Sequence, residues 1–217
     1  MLDTSLAALA LAGYLFGSLS FAVIVSRVMG LDDPRTYGSQ NPGATNVLRS
    51  GNKKAALATL LLDALKGYFP VLLVKWYGPA FGLDDEAVAV VAMAAFVGHL
   101  WPVFFRFQGG KGVATAAGIL FAVEPVLGAA VMGTWLLVAF VTRYSSLAAL
   151  MASVLSPGYY LFGNELLWQT SAAELLTVMV MSLLLLWRHK ENIGRLLRGQ
   201  ESKIGAKKEA AAVDGAE

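Results

Sequence analysis

The sequence predicts an all-α integral membrane protein, folded as a bundle of seven transmembrane helices. Mean hydropathy is +0.60, and only 15% of the 217 residues are charged. Apolar runs long enough to cross a bilayer recur along the chain, and the basic residues collect between alternate runs. This composition and this pattern are typical of a polytopic membrane protein and exclude an ordinary soluble domain.

Five apolar runs have the roughly 17 to 25 residues that a helix needs to cross about 30 Å of hydrocarbon. They cover residues 5–26, 55–77, 86–105, 144–162 and 171–187. The first run is too long for the core of a signal peptide, and no small-residue cleavage pattern follows it. We therefore expect it to be a retained helix.

A further apolar run, residues 113–141, is interrupted by Glu124 and Pro125. The run is too long for one ordinary span and short for two. We interpret it as a hairpin of a short helix near 113–123 and a fuller helix near 126–141. A short helix at membrane depth is tolerated where protein rather than lipid surrounds it.

The distribution of charge supports this hairpin. With seven crossings, all lysines and arginines except Lys66 and Lys75 lie on one side of the membrane. The positive-inside rule makes that side cytoplasmic, which places the N-terminus outside and the C-terminus inside. A single helix over the whole run would instead put Arg143 and most later positive charges outside.

We expect residues 1–205 to form one membrane domain and residues 206–217, which are polar and rich in small side chains, to form a disordered tail. The chain contains no cysteine. Disulfides, thiolate nucleophiles and cysteine metal sites are therefore excluded. Other metal-ligating residues do not cluster in the sequence, and we expect no metal ion, no cofactor and no nucleic-acid partner.

The first polar segment, "GSQNPGATNVLR" at residues 38–49, is unusual in so apolar a chain. Its glycines and Pro42 favour tight turns whose N–H groups can converge on an anion. Arg49 adds a forked cationic donor that suits phosphate. Neutral side-chain donors in the segment are Ser39, Asn41, Thr45 and Asn46. The alternative is a capped loop before the second span, with Thr45 or Asn46 as the cap.

The second segment, "GHLWPVFFRFQGGKGVATAAG" at residues 98–118, contains the turn "GGKG" before a helix. Free N–H groups and the helix dipole favour an anion at such a place. The spacing is not that of a P-loop, and no strand precedes it. Lys111 could equally be a lysine that reaches toward the membrane surface. We expect His99 to be structural rather than catalytic.

The third segment, "WRHKENIGRLLRGQESKIG" at residues 187–205, begins where the seventh span leaves the bilayer. His189 and Asn192 share one face if the helix continues, and Arg195 extends that face. The alternative is a basic amphipathic helix lying on anionic lipid, and both interpretations can hold together.

Two further groups of residues leave alternatives open. Asp63 and Lys66 are three apart within the second span, where a structural ion pair and a substrate contact are both possible. Ser145 and Ser146 follow Arg143 at the start of the sixth span, where they could cap the helix or face a site.

In this order, "GSQNPGATNVLR", "GHLWPVFFRFQGGKGVAT" and "HKENIGRLLRGQESKIG" resemble the bacterial acyl-phosphate:glycerol-3-phosphate acyltransferases of the PlsY type. The resemblance covers nearly the whole chain up to about Gly205. It implies a multi-pass enzyme of the bacterial inner membrane, working in phospholipid biosynthesis with its active site facing the cytoplasm. Such an enzyme moves a fatty acyl group from acyl phosphate to the 1-hydroxyl of glycerol 3-phosphate, giving lysophosphatidic acid and phosphate. Membrane lipids are expected as partners, and the sequence leaves the oligomeric state open and is compatible with a monomer.

The resemblance also assigns candidate site residues. His189, Asn192, Ser39, Arg49 and Lys111 are implied as catalytic. Substrate or phosphate binding is implied for Ser39, Asn41, Thr45, Asn46, Arg49, Gly109, Gly110, Lys111 and His189, with Ser145 or Ser146 as weaker candidates. This sequence has Gln40 where the family is expected to have glycine, Trp101 where phenylalanine is expected, and Gln108 where lysine is frequent.

A carrier for a phosphorylated metabolite is the rival interpretation, because its site would also gather arginine, lysine and amides. The polar segments lie at one membrane face, however. A carrier site is expected near the midplane, between inverted repeats, and we find no convincing internal repeat. An acyl phosphate already has a good leaving group, so the enzyme needs neither a covalent intermediate nor a metal.

Overall fold

The computed structural model describes residues 2–205. This part of the chain contains no β-strand, and its only β-type pairing is an isolated bridge between Asn164 and Trp168. The predicted tail, residues 206–217, lies outside the described residues. The helices are α1 (Leu2–Gly17), α2 (Phe21–Val28), α3 (Ala44–Leu48), α4 (Lys53–Tyr77), α5 (Asp85–Leu100), α6 (Val113–Val123), α7 (Pro125–Thr142), α8 (Ser145–Phe162), α9 (Ala172–Arg188) and α10 (Lys190–Leu197). Short 3₁₀ turns cover Gly78–Phe81 and Val103–Phe105.

Every predicted span coincides with helical structure, but not every helix is long enough to cross a bilayer. Five stretches are both long and apolar enough: Thr4–Val28, Lys53–Phe81, Asp85–Phe105, Pro125–Thr142 and Ser145–Phe162. Helices α9 and α10 make a sixth if they are counted as one span bent by 57°. The all-helical membrane architecture is thus confirmed, whereas the seven crossings and the orientation of the termini stay predictions.

The expected helical hairpin is present, and its break lies where the sequence placed it. Helix α6 ends at Val123, and Pro125 opens α7, because proline has no N–H and is well suited to the first turn of a helix. Lys75 donates hydrogen bonds to the Val123 carbonyl and, over 3.0 Å, to Glu124 Oε1. These bonds close the carboxyl end of a helix that is only about 16 Å long at 1.5 Å per residue.

Helix α6 is enclosed by protein, as its short length requires. Most of its side chains are buried, including Ile119 and Leu120. A Cβ added at Gly118 would lie 1.9 Å from the Ala64 carbonyl oxygen of α4. A Cβ added at Gly67 would lie 2.3 Å from the Thr115 carbonyl oxygen of α6. The absence of side chains at these two glycines lets α4 and α6 pack backbone to backbone.

The first predicted span is broken rather than continuous. Helix α1 ends at Gly17, and α2 begins at Phe21 after a turn in which Ser18 Oγ donates to the Tyr14 carbonyl at 2.8 Å. Lys66 Nζ donates to the Leu19 carbonyl in this turn at 2.6 Å. A lysine of α4 therefore satisfies a carbonyl that the break leaves without a helical partner.

Asp63 and Lys66 form a buried ion pair. Lys66 Nζ lies 2.7 Å from Asp63 Oδ1, and the two side chains are 1% and 4% exposed for Lys66 and Asp63 respectively. His99 Nδ1 lies 3.8 Å from the same carboxylate oxygen. Of the two interpretations left open by the sequence, the structure supports the structural pair, because ionised groups at depth need such partners.

The loop before the second span is organised differently from the predicted cap. Residues Ala44–Leu48 form the separate helix α3, which contains both Thr45 and Asn46. The cap of α4 is Asn52, whose side chain accepts a hydrogen bond from the Ala55 N–H at 3.0 Å. Neither predicted capping residue caps α4.

The two ends of the bundle carry different polar groups. At one end Tyr160 donates to Glu174 at 2.5 Å, near the carboxyl end of α8 and the amino end of α9. At the other end the loop before α3, the turn before α6 and the segment after α9 meet. Between the ends, large apolar side chains such as Leu137 and Phe140 are exposed on the outer faces, as expected for helices in lipid.

Candidate active site

A polar cleft opens at the end of the bundle where the three polar segments of the sequence meet. It contains a cavity of about 300 Å³. The residues that line this cavity are Ser39, Gln40, Asn41, Gly109, Lys111, Trp187, Arg188, Lys190, Glu191 and Arg195. The lysines and arginines outnumber the single carboxylate, so the cavity favours an anion.

A second cavity, of about 490 Å³, adjoins the first. Its lining residues are Arg35, Gln40, Pro42, Phe107, Gln108, Gly109 and Arg188. Gln40, Gly109 and Arg188 line both cavities and therefore form the wall between them. The end of the bundle thus offers two neighbouring polar spaces rather than one.

Asn46 lies at the centre of the first segment and is buried. Its Nδ2 donates to the carbonyls of Pro34 at 2.6 Å and Tyr37 at 3.2 Å. Its Oδ1 accepts from the Ser39 N–H at 3.0 Å and from Arg49 Nη1 at 3.4 Å. All four hydrogen bonds join residues of this loop, so the side chain stabilises the loop's conformation. The resemblance had implied substrate binding for Asn46.

Two N–H groups of the first segment are used inside the loop. The Ser39 N–H is bonded to Asn46, and the Gln40 N–H donates to the Tyr37 carbonyl at 2.9 Å. Gly38 and Gln40 both have left-handed φ values, +60° and +55°. These tight turns direct the two N–H groups into the loop itself, and convergence of the segment's other N–H groups on an anion stays a prediction.

Arg49 is exposed at the end of α3, and its Nη2 donates to Ser202 Oγ at 2.7 Å. Thr45 Oγ1 lies 3.3 Å from Ser145 Oγ. The first segment is thereby joined to α8 and to the chain after α10. Neither Ser145 nor Ser146 caps α8, whose N-cap is Tyr144 without a side-chain bond. Their hydroxyls instead contact Thr45 and Glu201, and neither serine lines a cavity, so a role for them in substrate binding stays a prediction.

The glycine turn before α6 packs directly onto His99. A Cβ at Gly109 would lie 2.1 Å from the His99 carbonyl oxygen, and one at Gly110 would lie 2.3 Å from His99 Nε2. The Gly110 N–H donates to the His99 carbonyl at 3.2 Å. The buried imidazole is thus a support for the turn, and the two glycines are needed for close approach.

Lys111 projects from this turn into the first cavity, where it donates a hydrogen bond to Asn192 Oδ1. Burial, and to a smaller extent the charge of Arg195, lowers the pKa of Lys111 to about 8. The ammonium group is therefore protonated at neutral pH, but it loses its proton more easily than an exposed lysine.

His189 lies at the break between α9 and α10, so the helix does not continue through it as the shared-face argument assumed. Its side chain is buried, and Nδ1 lies 2.8 Å from the Leu185 carbonyl oxygen. Burial lowers the pKa of His189 to about 4. The ring is neutral at pH 7, and because a carbonyl only accepts, Nδ1 carries the proton and Nε2 the lone pair. His189 is not among the residues that line either cavity.

Glu201 connects the third segment to α8. Its Oε1 accepts from Ser146 at 2.7 Å and from Asn192 at 2.6 Å, and its Oε2 accepts from Arg195 at 2.7 Å. Burial acts to raise the pKa of Glu201, but the hydrogen bonds from Ser146, Arg195 and Asn192 lower it overall. The carboxylate is therefore ionised, and it holds Asn192 in contact with Lys111.

The sequence did not single out two residues of this site, Arg188 and Glu201. Arg188 lies at the end of an apolar span, where a basic residue is ordinary, and Glu201 stands among several charges of a polar segment. Only the position of Arg188 beside the glycine turn, and of Glu201 beside three donors, distinguishes them. Sequence spacing carries no signal for either contact. Within residues 4–205 no group of three or more histidines or carboxylates could hold a metal ion.

The fold and the site define an integral membrane protein with a cationic, glycine-lined cleft at one end. Comparison with known proteins makes the class more specific. Residues 7–199 match the sequence profile of the glycerol-3-phosphate acyltransferase family. The glycerol-3-phosphate acyltransferase of Albidiferax ferrireducens is 60% identical over 197 residues, which make up 91% of this chain and 88% of that one. That of Paraburkholderia phytofirmans is 61% identical over 205 residues, 94% of this chain and 92% of the other.

Two crystal structures of PlsY (YgiH), an integral membrane glycerol 3-phosphate acyltransferase, share the fold. Its glycerol 3-phosphate form superposes with a TM-score of 0.84 at 37% identity and covers 93% of this chain and 96% of that chain. Its lysophosphatidic acid form gives a TM-score of 0.82 at 36% identity, with coverages of 92% and 95%. The chain belongs to the glycerol-3-phosphate acyltransferase family. It is a membrane acyltransferase, and a place in phospholipid biosynthesis follows from the family.

Proposed function

We propose that this acyltransferase moves a fatty acyl group from acyl phosphate to the 1-hydroxyl of glycerol 3-phosphate. The products are lysophosphatidic acid and inorganic phosphate. The observation that carries the proposal is the pair of adjoining cavities, about 300 and 490 Å³, which share one wall and are bordered by cations. Two substrates that each bear a phosphate need two such spaces side by side. The relatives' glycerol 3-phosphate and lysophosphatidic acid forms support the same substrate and product.

The reaction needs little more than positioning. The 1-hydroxyl oxygen attacks the acyl carbonyl carbon, the bond from that carbon to the phosphate oxygen breaks, and phosphate leaves with the electron pair. The hydroxyl proton passes to a base. Holding both reactants in attack geometry lowers the barrier by several kcal/mol, on the order of 7 to 11 for well-oriented groups. Cations and N–H donors stabilise the developing oxyanion and the departing phosphate.

Arg49, Lys111 and Ser39 are assigned to phosphate binding. Lys111 and Ser39 line the first cavity. Arg49 lines neither cavity, but it is exposed, and its guanidinium group donates to the same Asn46 oxygen as the Ser39 N–H. Asn41 also lines this cavity and adds neutral donors. The hydroxyls of Thr45 and Ser145, 3.3 Å apart, lie at the edge of the same polar end.

His189 and the substrate's own phosphate are the two candidate bases. The neutral ring of His189, with its proton on Nδ1, leaves Nε2 able to accept a proton. A phosphate oxygen of a bound substrate is the other acceptor, and burial, which lowers the pKa of His189 to about 4, makes the ring the weaker base. Asn192, bonded to both Lys111 and Glu201, orients the lysine beside the reacting groups.

The acyl chain is expected to lie along a groove between helices that is open to lipid, so that only the head of the donor enters the cleft. We place the protein in the bacterial cytoplasmic membrane with the cleft facing the cytoplasm, where the excess of basic residues is expected. No cofactor takes part, and a single copy of the chain supplies every group named above.

The test is release of inorganic phosphate by purified protein supplied with a fatty acyl phosphate and glycerol 3-phosphate, together and separately. Phosphate release and lysophosphatidic acid formation are expected only when both substrates are present. Alanine at Arg49 or Lys111 should lower turnover or raise the Michaelis constant for a phosphorylated substrate without unfolding the protein. Uptake of glycerol 3-phosphate into vesicles without any chemistry would instead identify a carrier. Unchanged kinetics in both variants would remove the assigned roles.

A further inference from the structure

Arg188 is bound to the glycine turn by two hydrogen bonds. Its Nη2 donates to the Gly109 carbonyl at 2.8 Å, and its Nε donates to the Gly110 carbonyl at 3.1 Å. The sequence separation across these contacts is 78 and 79 residues. The carboxyl end of α9 is thereby hydrogen-bonded to the segment from which Lys111 projects.

We propose that Arg188 is a positioning residue for acyl transfer, one that holds the Gly109–Gly110 turn in the geometry that the reaction needs. The inference rests on the proposed function, because it concerns the same site. It assigns Arg188 a role that depends on the shape of its guanidinium group rather than on its charge alone.

The geometry of the peptide planes explains why these two bonds matter. A peptide unit is planar and trans, so fixing its carbonyl also fixes the direction of its N–H. The peptide between Gly109 and Gly110 is held at both ends, by Arg188 at the oxygen and by the His99 carbonyl at the N–H. The next peptide is held at its oxygen by Arg188, which fixes the direction of the Lys111 N–H.

The turn needs such a constraint because glycine supplies none of its own. Two successive glycines have the largest backbone freedom of any residue pair, and their lack of side chains is required by the packing against His99. A shift of about 1 Å in the backbone would move the Lys111 ammonium group by a similar amount. Misplacement on this scale can cost on the order of 100-fold in rate.

Lysine cannot replace arginine in this arrangement. The guanidinium group is planar and presents several N–H donors in a fixed fork, which reaches two adjacent carbonyls at once. The Arg188 guanidinium also lies 6.0 Å from the centre of the Trp187 ring, which restricts its orientation. A lysine ammonium would keep the positive charge but could not bridge both oxygens in one orientation.

Arg188 also lines both cavities, together with Gly109 and Gln40. A movement of the turn would therefore change both cavities at once. Loss of the two bonds is expected to lower kcat for the complete reaction, and not only to raise the Michaelis constant for one substrate.

The test compares Arg188→Lys with the wild type and with Arg27→Lys, a matched change at an exposed arginine of α2. Acyl phosphate and glycerol 3-phosphate are varied separately, and the thermal unfolding midpoint of each variant is recorded in detergent. Arg188→Lys is expected to lower kcat by about 10- to 100-fold with an unchanged midpoint. Arg27→Lys is expected to leave all constants unchanged.

A second variant, Arg188→Ala, tests the fork directly. Methylguanidinium added at millimolar concentration is expected to restore part of kcat, whereas methylammonium at the same concentration is expected to have no effect. Wild-type kcat in Arg188→Lys, equal rescue by both cations, or unfolding of both variants would overturn the inference while leaving the proposed function intact. A wild-type protein inert toward acyl phosphate would overturn the proposed function and the inference together.

Discussion

Lys111 lines the first cavity, and its burial there lowers the pKa of its ammonium group. Free lysine loses its proton near pH 10.4, whereas burial brings the pKa of Lys111 to about 8. The cation is therefore present below pH 8 and is lost as the pH rises through that value. If it holds a phosphate group, affinity for that substrate must fall over the same interval.

We expect kcat/KM to fall about tenfold for each pH unit above 8 in the wild type, since the protonated fraction falls at that rate. Lys111→Arg should lose this step, because an arginine side chain stays charged throughout. The measurement is a rate profile from about pH 6.5 to 9.5, corrected for spontaneous hydrolysis of the acyl phosphate. A wild-type profile that is flat to pH 9.5, or the same fall in the arginine variant, would contradict the prediction.

Gln40 has the left-handed backbone, φ +55°, that glycine adopts most easily. This conformation costs an L-residue roughly 1–2 kcal/mol. The resemblance implied glycine at this position, and the observed φ gives the physical reason. Gln40 also lines both cavities, so the strained backbone position lies in the wall between them.

Gln40→Gly is expected to unfold at the same temperature as the wild type or slightly above it, and to keep acyltransferase activity. Gln40→Val should be less stable than the glycine variant by about 1–2 kcal/mol, because a β-branched side chain is least tolerated at positive φ. Thermal unfolding in detergent measures both. A valine variant as stable as the glycine variant would show that this turn is not strained.

At the scale of the helices, the contact between α4 and α6 depends on two glycines. The space at Gly118 is closed by the Ala64 backbone, 1.9 Å from an added Cβ. Backbone cannot move aside as the end of a side chain can. The glycine turn and Lys111 directly precede the amino end of α6. The contact between α4 and α6 therefore fixes the position of the turn along the axis of the bundle.

Gly118→Ala is expected to lower stability by about 1–3 kcal/mol, the usual cost of overpacking, and to lower activity with it. Gly133→Ala in α7 is the matched control, because nothing lies within 4 Å of an added Cβ there. The control should be neutral in both respects. Equal unfolding temperatures for the two variants would argue against backbone packing at Gly118.

The sequence predicted those elements whose boundaries are set by local chemistry. Pro125 correctly predicted the end of α6, and the "GGKG" turn correctly predicted the start of that helix. The break after Gly17 was not predicted, because its stabilising partner, Lys66 of α4, is distant in the sequence. The bend at His189 was not predicted either. Helix α3 was missed because five residues are too few to show a helical period.

The same distinction holds for the site. Lys111, Ser39 and Asn41 stand in recognisable motifs and line the cavity as expected. Arg188 and Glu201 have their roles only through contacts with residues far away in the sequence. His189 was predicted from its motif, but its burial could not be, because burial depends on how α9 packs against the rest of the bundle.

For the molecule as a whole, the predicted orientation can be tested on the natural background, since the chain has no cysteine to remove. Four single-cysteine variants are suitable. Lys54→Cys and Arg198→Cys place a thiol at the end of the bundle that holds the cleft, and Asp84→Cys and Glu165→Cys place one at the other end. All four positions are exposed.

In intact cells a membrane-impermeant maleimide is expected to label the cysteines at Asp84 and Glu165 and not those at Lys54 and Arg198. Opened cells should show labelling at all four positions. Labelling of Lys54→Cys in intact cells would place the cleft outside the cell. Labelling of only one of the two outer positions would show that the predicted number of crossings from α5 to α8 is wrong.

Glu201 joins α8 to the segment after α9, yet it follows all ten helices of the described chain. A chain that stopped just before Glu201 would contain all ten helices but lack the carboxylate that fixes Asn192 beside Lys111. The part of the sequence that builds the bundle and the part that completes this support are therefore separable by truncation.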